Sequence, residues 1–172
     1  MFKWLRNASS KQNKYQFEQV FDENKDYVYR LALSISANPA DADDITQEVF
    51  VAVYQGLAKF KGNCHIRTWL YRITIRISGK HLSKRQMTHN QADVIELVAP
   101  ENHAYKEQWQ QLLSAMHQLP LMQRTVISLV IIEGLSHQEA AEVLGIPSGT
   151  VGSRLHKAKN ALINLIEKKR AY

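Results

Sequence analysis

Apolar residues recur along this chain at helical rather than strand spacing. Phe17, Val20, Phe21, Val28, Leu31 and Ile35 fall at steps that suit one face of a helix, because side chains three and four positions apart line up. Asn38-Pro39-Ala40-Asp41 reads as the start of a second helix. Asparagine caps, proline takes the first position, and the acids suit the positive end. That helix carries Ile45, Val49, Ala52, Val53 and Leu57, and Gly62-Asn63 breaks it. A third helix follows, with Ile66, Trp69, Leu70, Ile73 and Ile77 on one side and Arg67, Thr68, Arg72 and Arg76 on the others. The periodic position of Trp69 predicts a core role for it. From Met87 to His103 periodicity fades and Pro100 appears, which predicts a linker. A second helical unit begins near Ala104. Trp109, Leu112, Leu113 and Met116 line its first helix, Pro120 punctuates, and Val126, Ile127, Leu129 and Val130 belong to its second. The β-branched run 126–132 is ambiguous alone; its setting between helical segments selects helix.

The strongest local signals lie further along the chain. Ser136-His137-Gln138-Glu139 has the form of a capping box. Ala140, Ala141 and Leu144 make a compact inner face, and Gly145 can take the left-handed conformation that ends a helix. Pro147 and Ser148 start another helix, whose Val151, Leu155, Ala158 and Leu162 form a core face. Two short helices joined by a glycine-containing turn match the DNA-binding helix-turn-helix. At about 100° per residue, Ser153, His156 and Lys157 point away from that core, with Thr150 and Arg154 on one flank and Gly152 and Lys159 on the other. A small, polar and basic face of this kind suits a major groove.

Composition sharpens this picture. The 172 residues carry a net charge of +6, which favours an anionic partner. The charge is segregated. From Glu18 to Glu48 acids dominate; from Val49 to Ala92 there is no acid at all, while Lys59, Lys61, Arg67, Arg72, Arg76, Lys80, Lys84 and Arg85 accumulate. Arg154, Lys157, Lys159, Lys168, Lys169 and Arg170 repeat the bias. Two basic segments beside an acidic one imply two kinds of partner. With one cysteine, Cys64, an intrachain disulfide is excluded. No Ser/His/Asp set, glycine-rich phosphate loop or paired metal ligands stand out, so neither an enzyme nor a cofactor is expected, and no small-molecule substrate. The segment MFKWLRNASSKQNK lacks the apolar core of a signal peptide. No stretch approaches the ~20 apolar residues that cross a bilayer. The expected location is cytoplasmic.

Asp43-Asp44-Ile45-Thr46-Gln47-Glu48-Val49-Phe50, Phe60-Lys61-Gly62 and Arg67-Thr68-Trp69-Leu70-Tyr71-Arg72-Ile73 occur in the first half. Leu119-Pro120, Gln123-Arg124, Glu133-Gly134-Leu135-Ser136, Gln138-Glu139-Ala140-Ala141 and Gly145-Ile146-Pro147 through Ser153-Arg154-Leu155-His156 occur in the second. In this order and spacing they resemble bacterial RNA polymerase sigma factors of the extracytoplasmic-function (group IV) type, across roughly 17–165. The resemblance implies an all-α fold of two small helical domains: a σ2-like bundle over 15–86 and a σ4-like helix-turn-helix domain over 104–170. They would be joined by a flexible linker over 87–103 and preceded by an extension over 1–14.

The resemblance also implies an alternative sigma factor that binds core RNA polymerase through the β′ clamp helices and β. Such a protein directs it to promoter DNA and opens the promoter, commonly under an anti-sigma factor. Asp44, Gln47 and Glu48 match the family's polymerase contact; Asp41 and Asp43 suit the helix dipole equally well. Lys61, Asn63, His65, Arg67, Thr68, Arg72, Arg76 and Lys80 match the element that reads −10 DNA. There a base turned out of the stack needs donors and acceptors, and its backbone needs cations. Arg76 stands where the family often has asparagine, which alters the base preference. Arg124, Thr150, Ser153, Arg154, His156, Lys157 and Lys159 match −35 contacts, the lysines serving phosphate more than base edges. Gly152 stands where a basic residue is frequent, which implies either a lost DNA contact or close backbone approach. A helix-turn-helix regulator that is not a polymerase subunit is the alternative; it leaves the acidic-then-basic first half unused.

Overall fold

The computed structural model describes residues 11–88 and 103–170, with side chains from 17 to 84 and from 108 to 168. The expected extension, except its end from Lys11, and the linker between 89 and 102 lie outside the described residues. Among the described residues seven α-helices follow one another: α1 (Lys11–Ser36), α2 (Pro39–Gly56), α3 (Ile66–Thr88), α4 (His103–His117), α5 (Leu121–Ile127), α6 (His137–Leu144) and α7 (Ser148–Arg170). Helix α3 runs two residues into the segment expected as linker.

Helices α1, α2 and α3 pack on one another. The α1–α2 junction is tight. Ala37 takes a left-handed φ of 54°, and Asn38 caps α2 by accepting from the Asp41 N–H at 3.0 Å. Val28 and Ala32 of α1 meet Ile45, Val49 and Val53 of α2 and Leu70, Ile73 and Ile77 of α3. At the other end Phe21 meets Phe50 edge-on at 4.6 Å and Phe17 meets Tyr54 at 5.2 Å. The expected core role of Trp69 holds: its indole lies half-buried against this cluster, 4.9 Å from the Phe60 ring. It also covers Gly56, where an added Cβ would stand 3.1 Å from the ring.

The second half gathers α4, α5 and α6 around α7. The ambiguous β-branched run is helical, but not uniformly. After α5 the chain widens into a π-helical turn, Ser128–Ile132, closed by the Glu133 N–H donating to the Ser128 carbonyl at 2.9 Å. Thr125 and Ser128 bond back to the carbonyls of Leu121 and Arg124, a pattern that competes with the helical ladder and bends it.

The first half keeps a core of its own, but the core of the second half extends into it. Leu31 and Ile35 lie one step around α1 from Val28 and Ala32, and they join Tyr71 in one apolar cluster with Met116, Val126, Leu129, Ala140, Val151 and Leu155. Ala37 meets Leu113 and Trp109 beside it. One helix, α1, therefore supplies adjacent faces to both halves.

Candidate nucleic-acid interface

The helix-turn-helix is built by local rules. The Ser136 hydroxyl accepts from the Glu139 N–H at 3.2 Å, and the Glu139 carboxylate accepts from the Ser136 N–H at 2.8 Å. Hydrogen bonds from the Ser136 side chain and backbone hold the Glu139 carboxyl below its ordinary range. Gly145 ends α6 at φ 65°, ψ 34°, a conformation that costs glycine little. The Ile146 N–H returns to the Ala141 carbonyl at 3.2 Å. Val151, Leu155 and Ala158 are buried, which fixes the rotation of α7. Ser153, His156, Lys157 and Lys159 are therefore exposed together, with Thr150 and Arg154 half-buried beside them. His156 is paired with Asn160 at 3.1 Å.

Gly152 has a neighbour that sequence spacing could not show. A Cβ added there would lie 3.5 Å from Nδ1 and 3.6 Å from Cε1 of His137. The exposed imidazole of His137 thus stands over the glycine, on the same flank of α7 as Lys159. Sequence reasoning misses His137 because it lies in the other helix. Its only signal is its place directly after the cap residue Ser136.

In the first half, Asp44, Gln47 and Glu48 stand at i, i+3 and i+4 on the exposed face of α2, opposite buried Ile45 and Val49. Asp41 instead lies 3.2 Å from His81 of α3. Lys61, Asn63 and His65 are exposed in the loop before α3. His65 has a structural task as well: its Nδ1 accepts from the Arg67 N–H at 3.3 Å, capping α3. Thr68, Arg72, Arg76 and Lys80 form an i, i+4 row along α3, half-buried at Thr68 and exposed beyond. Arg67 is stacked over Tyr27 at 4.2 Å.

Arg124, expected among the −35 contacts, is held inside the protein. It is 7% exposed, and it donates to the carbonyls of Ile35 at 2.6 Å, His117 at 3.2 Å and Leu119 at 3.1 Å. The physical reason is that the last carbonyls of α1 have no intrahelical partner, and a cation at the negative end of a helix is stabilising. Burial also lowers the pKa of this guanidinium. Arg72 is engaged across the halves too, donating to the Glu142 carbonyl at 2.7 Å. Beside these, Glu133 receives both nitrogens of an Arg30 fork at 3.3 Å and the Tyr71 hydroxyl at 3.2 Å.

The fold and this surface define an all-helical, two-part helix-turn-helix protein with segregated acidic and basic faces. Residues 20–88 match the family model "Sigma-70 region 2", and residues 109–162 match "Sigma-70, region 4". The chain is 32% identical to the ECF RNA polymerase sigma factor SigW of Bacillus subtilis, with 85% of this chain and 86% of that protein covered. It is 30% identical to the ECF RNA polymerase sigma-E factor of Escherichia coli K12, over 82% and 83% of the two chains. The chain belongs to the ECF sigma factors of RNA polymerase, and its role is that of an alternative sigma factor in transcription initiation. Its fold is similar to that of the sigma factor RpoE in complex with the anti-sigma factor NepR from Bartonella quintana (TM-score 0.73, 22% identity, 88% and 97% covered). It is also similar to CnrH in complex with the cytosolic domain of CnrY (TM-score 0.69, 25% identity, 90% of each covered). Among the described residues no helix is long and apolar enough to cross a membrane.

Proposed function

We propose that three surfaces divide the work of this sigma factor. The face of α2 carrying Asp44, Gln47 and Glu48 docks on core polymerase at the β′ clamp helices. The loop 61–65 and the row Thr68, Arg72, Arg76 and Lys80, with Arg67, hold the opened −10 strand. Helix α7 reads the −35 duplex through Thr150, Ser153, Arg154 and His156 and holds its phosphates through Lys157 and Lys159. His137 adds a donor on the flank where Gly152 has no side chain. The observation carrying this reading is the exposure of α7's polar and basic side chains on one face, opposite buried Val151, Leu155 and Ala158. The protein acts as a cytoplasmic polymerase subunit rather than as a catalyst. An anti-sigma factor is its regulatory partner, as the solved complexes of RpoE and CnrH suggest by similarity.

Run-off transcription tests the assignment. Purified chain plus core polymerase should yield promoter-specific transcripts that neither component yields alone, and sequencing their start sites gives the promoter elements. Specific operator binding by the chain, with no transcript when core is added, would instead favour a free-standing regulator.

A further inference from the structure

The surface of α7 has a gap that another helix fills. Gly152, on the flank of α7, is half-buried and carries no side chain. The exposed imidazole of His137, the first residue of α6, lies against it, with Nδ1 3.5 Å and Cε1 3.6 Å from where a Cβ would stand. A methyl group fits under the ring at those distances, but a longer side chain would have to take the ring's place. The ring is also unspent. His65 caps α3, His81 meets Asp41 and His156 meets Asn160, whereas the His137 side chain has no hydrogen-bond partner among the described residues. Its backbone is fixed, because the Ser136 and Glu139 capping bonds enclose it in sequence.

We propose that His137 is a specificity-determining residue of the −35 surface, its imidazole reading a base edge from the place that a side chain at 152 would occupy. This rests on the reading of α7 as the −35 helix. In a helix-turn-helix the first helix crosses the DNA backbone, and the N-terminal part of the second meets base edges in the major groove. A residue at the start of α6 would by itself face phosphate. His137 is instead carried against Gly152, in the first half of α7, and so into the part that meets bases. In its neutral form an imidazole brings one donor and one acceptor. Each base pair presents its own pattern of donors and acceptors in the major groove, so such a ring discriminates among them. A contact to a base edge that spares phosphate leaves the salt dependence of binding unaltered.

The test uses the full chain. A randomised pool of DNA duplexes is selected on the parent and sequenced, and fluorescence anisotropy then compares duplexes that differ at one base pair. His137→Ala acts at an exposed residue and leaves the capping bonds of Ser136 and Glu139 in place. It should lower the preference for the best base at one pair about tenfold, a difference of ~1.4 kcal/mol, with the other pairs and the salt slope unchanged. In the Gly152→Arg background, His137→Ala should have little further effect, because the arginine has taken the ring's place. An unchanged preference profile in His137→Ala overturns the proposal, as does a parent with no base preference. A uniform loss across sequences with a shallower salt slope marks a phosphate contact and overturns it too. So do equal effects of His137→Ala with and without Gly152→Arg. Run-off transcription with core polymerase is scored separately. Normal transcripts without a base pair that depends on His137 overturn this proposal alone, whereas such a base pair without transcripts supports it and overturns the sigma-factor reading.

Discussion

Replacing Arg124 by alanine tests whether a cation from one half caps a helix of the other. The side chain donates to the carbonyls of Ile35, His117 and Leu119. A hydrogen bond from a charged donor contributes about 1.5–3 kcal/mol, but three from one guanidinium do not add. Its buried Nε has no partner, and desolvation of the cation offsets part of the gain. Removing the group also leaves the Ile35 carbonyl uncapped at the end of α1. A net loss of ~3 kcal/mol is expected for Arg124→Ala, which for a chain of this size lowers Tm by roughly 6–12 °C. Arg124→Lys keeps the charge but loses the planar fork and reaches fewer carbonyls, so about half the loss is expected. Urea denaturation followed by far-ultraviolet circular dichroism reads both variants against the parent. An alanine variant within ~0.5 kcal/mol of the parent, the range of an ordinary surface substitution, would refute the capping role.

Tyr71→Phe removes one hydrogen bond to Glu133 and should cost ~1 kcal/mol at neutral pH. It also tests a linkage. Burial first, and the Glu133 carboxylate second, push the Tyr71 hydroxyl up to about 12. The unfolded chain therefore loses this proton first, and stability falls as pH rises from ~10 to ~12. The phenylalanine variant should show a shallower alkaline decline in thermal melts, and an identical decline would contradict the assignment. Glu48→Lys lies on the exposed face of α2, so it should change folding stability by no more than ~0.5 kcal/mol while weakening co-purification with core polymerase; parent-like retention of core would argue against that face as the docking surface. Lys157→Ala should reduce the salt dependence of duplex binding by about one unit of slope, and an unaltered slope would mean that Lys157 touches no phosphate. At Gly152 an added side chain meets only ordinary contact with His137. Gly152→Arg should therefore fold, gain up to ~1 kcal/mol of helix stability and bind the −35 duplex more tightly, with weaker binding indicating that DNA approaches the bare backbone.

The features that could be read from the sequence are those decided within a few residues. Asn38 caps α2 and Ser136 caps α6 because each acceptor lies three positions from its donor. Gly145 turns left-handed because the chain itself requires it there. The buried faces of α1 and α7 follow from helical spacing, as does the exposure of Asp44, Gln47 and Glu48 opposite Ile45 and Val49. What the sequence could not show depends on contacts between distant segments. Arg124 is expected on phosphate from the resemblance alone, whereas its acceptor at Ile35 is 89 positions away. Glu133 and Arg30 are separated by 103. The apolar row of α1 reads as one face, whereas Leu31 and Ile35 turn toward the second half. The imidazole over Gly152 is hidden for the same reason: His137 and Gly152 meet only when α6 folds against α7.

The π-helical turn at Ser128–Ile132 works as a phase shifter. One residue more than an α-turn holds rotates everything after it by about 100°, and the first residue beyond this turn is Glu133. The widened turn thus decides which way that carboxylate looks, toward Arg30 and Tyr71 rather than around the helix from them. Side-chain chemistry alone would make the contact between the halves adjustable only by exchanging charges. With a turn of this kind upstream, the contact depends on helical register as well as on charge.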